Sequence, residues 1–315
     1  MKKLLPFLCC LFTICVHAQQ KLNTFHVVDN KTQKPIPATS ITIVRAKLSI
    51  TTEKDGIFVI PGNLEKMRDS VILYAQNYEL FKITLAQLNG MDTIRLSKIT
   101  NNLVTARLNY KDDTLLNNYN RSEIAYYAGL NTETAQFDYL QLAQRFNVQK
   151  PGIRLKSVVV NKLSFNVVYS ITDPDSQYDS TELEHTTYRV HIYDVNTLTG
   201  GPGKDLSDKI IEVKILDSKQ SNFNLKKYNI IIPNKTFFVA IEWLRDYYNL
   251  GYVMVHDKKL KRNVQQLNYR PTIGISPITG KKLNIWGLDY KHNWKPYTYF
   301  MPFGTDLAIK AGIEY

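Results

Sequence analysis

Ile50-Thr51-Thr52-Glu53-Lys54-Asp55-Gly56-Ile57-Phe58-Val59-Ile60 is the stretch whose reading decides the fold class. Runs of β-branched and aromatic residues flank Asp55-Gly56, and Gly tolerates the positive φ that a tight strand reversal needs. The expectation is a type I′ hairpin that pairs Thr51-Thr52 with Ile57-Phe58. The same grammar repeats outward. Phe25 and Val27 alternate with Thr24 and His26, and Ile41 and Ile43 flank Thr42. Val71, Leu73 and Ala75 follow, then Phe81 to Leu85, then Ile94 and Leu96. Short runs of Val, Ile, Thr and Phe between turn residues predict an antiparallel sandwich over residues 22–98.

Within that unit, three blocks carry a family resemblance. They are Phe25-His26-Val27-Val28-Asp29, then Thr32-Gln33-Lys34-Pro35-Ile36-Pro37-Ala38, and, after Ile41 and Ile43, Thr51 to Phe58. Together they resemble a carboxypeptidase regulatory-like domain. The resemblance implies a transthyretin-like sandwich of seven strands that is itself non-catalytic. Ala38 stands where the family often has Gly, and Asn77 replaces the usual Gly before Tyr78; Asn also tolerates the left-handed conformation. In outer-membrane transporters that carry this domain, a plug and a barrel follow. Leu103-Val104-Thr105-Ala106 faintly resembles the segment leading into that plug. A 22-stranded barrel needs roughly 220 residues in strands before its long loops, so a transporter is not expected.

Residues 99–133 are poor in apolar periodicity and rich in Asn, Asp and Tyr, which predicts a connector with one short helix. Phe137 to Val148 fits either a strand or a helix, and Pro151-Gly152 stops both. From residue 153 the β pattern returns with longer runs: Leu155 to Val160, Thr187 to Tyr193, Ile210 to Leu216, Tyr228 to Ile232, Phe237 to Leu244, Gly251 to Val255 and Leu307 to Ile313. Strands without helices between them predict a second sandwich, a jelly roll, over residues 134–315. Tyr188 to Tyr193, Gly200 to Leu206 and Phe237 to Trp243 resemble C-terminal jelly-roll domains of exported bacterial proteins, a likeness that implies no activity. The fold class expected is all-β, with two β-sandwich domains.

The amino terminus reads as an export signal. Lys2 and Lys3 precede an apolar run, Leu4 to Val16, and Val16-His17-Ala18 offers small residues for cleavage after Ala18, so residues 1–18 are expected to be removed. Cys9, Cys10 and Cys15 all lie in that signal. The exported chain then has no thiol, disulfide or Cys-ligated metal site, and no cofactor is expected. It is placed in the periplasm, on the outer-membrane surface or outside the cell, without a transmembrane segment. Lys2 and Lys3 account for two of the formal charge of +12, leaving +10 on the exported chain. That excess favours anionic surfaces. The densest cluster, Lys258, Lys259, Lys261 and Arg262, is read as a solvated hairpin tip. No nucleic-acid motif accompanies the charge, so the expected partner is a glycan or an envelope protein.

Chemistry-bearing patterns are few. Gly200-Gly201-Pro202-Gly203-Lys204 has the wrong spacing for a phosphate loop, and Asp205 stands where Ser or Thr would hold magnesium. His26, His185, His191, His256 and His292 show no metal-binding spacing. Pro277, directly after Ser276, blocks the helix a nucleophile elbow requires. Glu242 is the candidate catalytic acid, since Phe238, Ala240, Glu242 and Leu244 share one face of a strand. If that face is interior, its pKa should rise unless it has a partner. Glu212 is the companion a glycan hydrolase would need, but a structural ion pair or a solvent-facing position is the preferred reading of one acid on a strand. Asp173, Asp175 and Asp179 could hold calcium, although the EF-hand glycine and final glutamate are missing and a solvated loop is preferred. Trp286, Tyr290, Trp294 and Tyr297 are the candidate ligand-binding rings, in a stretch that also holds Tyr299, Phe300 and Phe303. Closure of a core is preferred for them over an exposed platform. The function expected is a non-catalytic exported binding or scaffold protein, with a carbohydrate-binding module or glycan hydrolase as the alternative.

Overall fold

The computed structural model describes residues 23–64, 68–99, 113–117, 119–124, 126–131, 139–163, 185–216, 218–246, 249–257, 260–276, 283–300 and 306–315. The export signal, the acidic loop with Asp173, Asp175 and Asp179, Lys258, Lys259 and Phe303 lie outside the described residues. The chain is an all-β sandwich protein. No described helix is long and apolar enough to cross a membrane.

The first sandwich holds β1 (Asn23–Asp29), β2 (Ser40–Ile43), β3 (Leu48–Thr51), β4 (Ile57–Ile60), β5 (Ser70–Tyr74), β6 (Phe81–Thr84) and β7 (Thr93–Leu96). They form two sheets, β4-β1-β7 and β3-β2-β5-β6. Alternation puts Phe25 and Val27 of β1 inward, where the Phe25 ring stacks on Phe58 of β4 at 5.2 Å. Ile41 lies opposite Leu73 across the facing sheet. These side chains share one core with Val71, Ile94 and Leu96. β1 and β7 run parallel, with Val27 opposite Ile94.

The Asp55-Gly56 hairpin expectation is corrected. β3 pairs with β2 and β4 pairs with β1, so the turn carries the chain from one sheet to the other. Of its two central residues only Gly56 has positive φ, +75°, which rules out type I′. The Gly56 amide donates to Glu53 O at 3.0 Å, and Gly56 O accepts from Val27 N at 2.9 Å. A Cβ on Gly56 would stand 2.6 Å from Val27 O. Glycine is required there by a close backbone approach as well as by φ.

The second core lies between two larger sheets. Its strands are β8 (Asp113–Leu116), β9 (Tyr126–Asn131), β10 (Gln141–Asn147), β11 (Ile153–Asn161), β12 (His185–Val195), β13 (Pro202–Asp205), β14 (Ile211–Leu216), β15 (Gln220–Asn224), β16 (Ile231–Ile232), β17 (Thr236–Trp243), β18 (Leu250–Asp257), β19 (Arg262–Ser276), β20 (Ile285–Leu288), β21 (Trp294–Pro296), β22 (Asp306–Leu307) and β23 (Ile309–Glu314). One sheet runs β13-β12-β17-β10-β20-β21, with β14 also on β12. The other runs β15-β11-β23-β8, with β16 on β11. A four-stranded sheet of β18, β19, β22 and β9 adjoins them. Leu142, Val190, Ile241, Val160 and Ile309 fill the space between the two larger sheets.

Several sequence expectations shift here. Residues 99–133 were expected as a connector, yet β8 pairs with β23 and β9 with β19 inside the second unit's sheets. Within the stretch Phe137 to Val148, Gln141–Asn147 forms strand β10, paired on both sides with β17 and β20, and Phe137 lies outside the described residues. The strand expected over Tyr228 to Ile232 shrinks to the two residues of β16, because Tyr228 closes the 3-10 turn Lys226–Tyr228 and Asn229 takes φ 48° after it.

The two sandwiches touch face to face. Ile41 and Ile43 of β2 point into the first core, so Ser40 and Thr42 point out of it, and both are buried. Ser40 meets Glu242 on the outer face of the β12-β17-β10 sheet, and Thr42 meets His292 between β20 and β21. Gln76 Nε2 donates to Ser207 O and Asn77 Nδ2 to Asp208 O, each at 2.7 Å, across the same seam.

Candidate functional site

Strand β12 alternates cleanly. Tyr188, Val190 and Ile192 enter the second core, and Arg189, His191 and Tyr193 point to the other side. On the neighbouring β17, Arg189 lies opposite Glu242, His191 opposite Ala240 and Tyr193 opposite Phe238. The pleat therefore gathers Arg189, His191 and Glu242 on one face, and the first sandwich closes over them.

His191 stands between two carboxylates. Its Nδ1 is 2.8 Å from Asp205 Oδ2 and its Nε2 is 3.0 Å from Glu242 Oε2. Ser40 Oγ donates to Glu242 Oε1 at 2.6 Å. Arg189 Nη1 donates to Ala38 O at 2.9 Å and sits 3.7 Å from Glu242 Oε2. Its Nε lies 3.6 Å from Glu212 Oε2. Arg189, His191 and Glu242 are each at least nine-tenths buried.

Burial pulls the His191 pKa down, but the hydrogen bonds to Asp205 and Glu242 outweigh it and hold the ring at about 9. Burial pushes Glu242 up; the His191 hydrogen bond and the Arg189 charge overcome this and bring it to about 2. The rise expected for an unpartnered Glu242 is thus averted by its partners. Two buried cations, Arg189 and His191, face Asp205 and Glu242, and the more exposed Glu212 adds a third carboxylate at the guanidinium. The protonated imidazole has both nitrogens engaged and keeps no lone pair to accept a proton. Glu242 likewise has both oxygens engaged. The arrangement is an ionic brace under the inter-sandwich seam.

Glu212, the expected companion of Glu242, stands on edge strand β14 with its side chain 46% exposed, and the Arg189 guanidinium contacts both acids. The true companions, Asp205 and His191, were missed. The i, i+2, i+4 spacing of Arg189, His191 and Tyr193 was the available signal, because it puts a cation, an imidazole and a phenol on one strand face.

Beside the brace, a cleft of about 380 Å³ opens between the sandwiches. Tyr74, Tyr78 and Leu80 of the first unit form one wall. Gln141, Tyr193, Lys204, Asp205 and Trp294 of the second form the other. Tyr193 OH donates to Gln141 Oε1 at 3.0 Å, and the Tyr193 and Trp294 rings meet edge to face at 5.4 Å. His292, also in the wall, is pushed down by burial to about 4 and is neutral; its Nε2 is 3.3 Å from Thr42 Oγ1.

The four candidate rings separate. Trp294 is half-buried and lines the cleft. Trp286 is buried against Phe238, Tyr290 is buried with the Arg245 guanidinium 5.1 Å from its ring, and Tyr297 packs on Tyr139 and Phe300. Gly200 and Gly201 form the bend leading into β13, which holds Pro202 to Lys204, with Gly201 against the Trp286 ring. Among the described residues no group of three His, Cys, Asp or Glu could hold a metal ion.

No family model matches the sequence, and no curated protein is detectably similar to it. Among solved structures, the cysteine protease and lectin-like domains of Cwp84, a surface-layer-associated protein of Clostridium difficile, align with a TM-score of 0.32 and 13% identity. That alignment covers 56% of this chain and spans only 32% of the other. Infectious bursal disease virus, Gx strain, aligns with a TM-score of 0.17 and 8% identity over 93% of this chain and 64% of that one. Likeness at this level carries no argument about function.

Proposed function

We propose that the chain is a non-catalytic, exported cell-envelope binding protein whose ligand enters the cleft between the two sandwiches. The cleft itself carries this reading. Both units supply its walls, aromatic rings and polar groups alternate around it, and the strand acid Glu242 is closed off behind it by Ser40, Arg189 and His191. The seven strands of residues 23–96, in two sheets, support a carboxypeptidase regulatory-like first unit. The amino-terminal pattern, a charged start, an apolar run and a small-residue cleavage site, supports export to the periplasm, the outer-membrane surface or the exterior.

The test is retention of the full exported chain on envelope fragments and on their separated polysaccharide and protein fractions. Retention is expected to fall in Trp294→Ala, without release of sugar reducing ends or peptides. Release of reducing ends that stops in Glu242→Gln overturns the non-catalytic reading. Retention indifferent to Trp294→Ala and Tyr78→Ala places the ligand elsewhere.

A further inference from the structure

We infer that the cleft takes an acidic sugar, a pyranose-sized ring bearing a carboxylate. This rests on the cleft being the binding site. Its volume, about 380 Å³, lies in the range of small-molecule sites. Tyr74, Tyr78, Tyr193 and Trp294 surround it with ring surface, which suits the apolar C–H face of a sugar.

Charge then selects among sugars. Two charged side chains line the cleft among the described residues, Lys204 and Asp205. Asp205 is already committed. Its Oδ2 faces His191 Nδ1 at 2.8 Å, and its Oδ1 accepts from Ser207 N at 3.0 Å. Lys204 is exposed and makes no ion pair among the described residues. Lys98, 6.0 Å from the centre of the Tyr78 ring, adds a second cation at that wall. The surplus is positive, and it agrees in sign with the +10 of the exported chain. Gln141 accepts from Tyr193 through Oε1, which leaves its amide nitrogen to donate to a hydroxyl. A neutral sugar leaves Lys204 unused, and a fatty anion leaves the Gln141 amide unmatched. A carboxylated sugar engages both.

Calorimetric titration of the full exported chain with digalacturonate, galactobiose and decanoate tests this, at low and high salt. Digalacturonate is expected to bind at least about tenfold more tightly than galactobiose, the worth of one charge-assisted hydrogen bond, and to weaken with salt. Lys204→Gln is expected to erase that preference with no change in melting temperature, since the side chain is exposed. Trp294→Ala is expected to weaken both sugars. Absence of saturable digalacturonate binding, a preference that survives Lys204→Gln, equal binding of both sugars, or stronger binding of decanoate overturns the inference. In any of those cases, envelope retention that still depends on Trp294 leaves the cleft as the binding site and removes only the ligand class.

Discussion

Ser40 and Glu242, separated by 202 positions in the chain, share a buried 2.6 Å hydrogen bond that ties the first sandwich to the second. The bond is charge-assisted, and its acceptor is also held by His191. Ser40→Ala removes the donor and leaves Glu242 Oε1 without it in a site closed to water. A loss of about 1–3 kcal/mol in urea unfolding is expected. Ser40→Thr, which keeps the hydroxyl, should lose less; equal losses in both variants would show that packing and not the hydrogen bond sets the effect.

Glu242→Gln should cost more than Ser40→Ala. It leaves His191 with Asp205 alone and Arg189 with the half-exposed Glu212 alone, and breaking a buried charged network from one side typically costs about 3–5 kcal/mol. Combining it with His191→Gln should recover part of that loss, because the second substitution removes a buried charge that has lost one of its two carboxylates. Strict additivity in a double-mutant cycle would refute the brace.

Stability should peak near neutrality. His191 has a folded pKa of about 9 against an ordinary value of 6.5, so its contribution is complete below 6.5 and is lost as pH rises through 9. His292 is the opposite case. Its folded pKa of about 4 lies below 6.5, so the unfolded chain takes up the proton first and stability falls as pH drops from 6.5 towards 4. Glu242, about 2 in the fold against 4.5, contributes fully above 4.5 and loses that contribution as pH falls through 2. Melting temperature measured from pH 4 to 10 should pass a maximum close to pH 6.5, and His191→Gln should flatten the alkaline limb. An alkaline limb unchanged in that variant would mean that His191 is not the titrating group.

Gly56 should tolerate no side chain. Val strains the left-handed position, and every Cβ meets the Val27 carbonyl at 2.6 Å. Gly56→Val is expected to lose about 1–3 kcal/mol or more. Gly56→Asn should also destabilise, because the clash is with backbone that cannot rotate away. Asp55→Asn should be nearly silent, since an amide oxygen can still accept from Ile57 N. A wild-type melting temperature in Gly56→Asn would contradict the close approach.

Limited proteolysis should spare residues 113–116 and 126–131, which are hydrogen-bonded into sheets with β23 and β19. A chain cut ahead of Asp113 should elute as one particle, because Ser40, Gln76 and Asn77 keep the halves bound. Fragments that separate on a sizing column would show that the seam cannot hold without the covalent link.

Strand positions were legible because alternation is local. The Phe25/Val27 face, the Ile41/Ile43 face and the Phe237-to-Trp243 run all emerged where expected. Partner choice was not local. Asp55-Gly56 looks the same whether the next strand folds back beside the last or crosses to the opposite sheet. β8 offers one apolar pair, Leu115-Leu116, on an edge strand, which is too little pattern to separate it from a loop. Within the site, the face shared by Arg189, His191 and Tyr193 was written in the sequence. Its register with Glu242, the arrival of Asp205 at the end of β13 and the covering by Ser40 depend on long-range pairing that no window contains.

The parallel pairing of β1 with β7 has a mechanical consequence. The chain enters the first sandwich at one end of this pair and leaves at the other, so tension applied across residues 23–96 pulls the two strands lengthwise past each other. The bonds His26 N to Asp92 O and Asn30 N to Leu96 O lie across that pull and share the load, instead of opening one after another like a zip. A tether built this way resists extension at the join between its outermost strands.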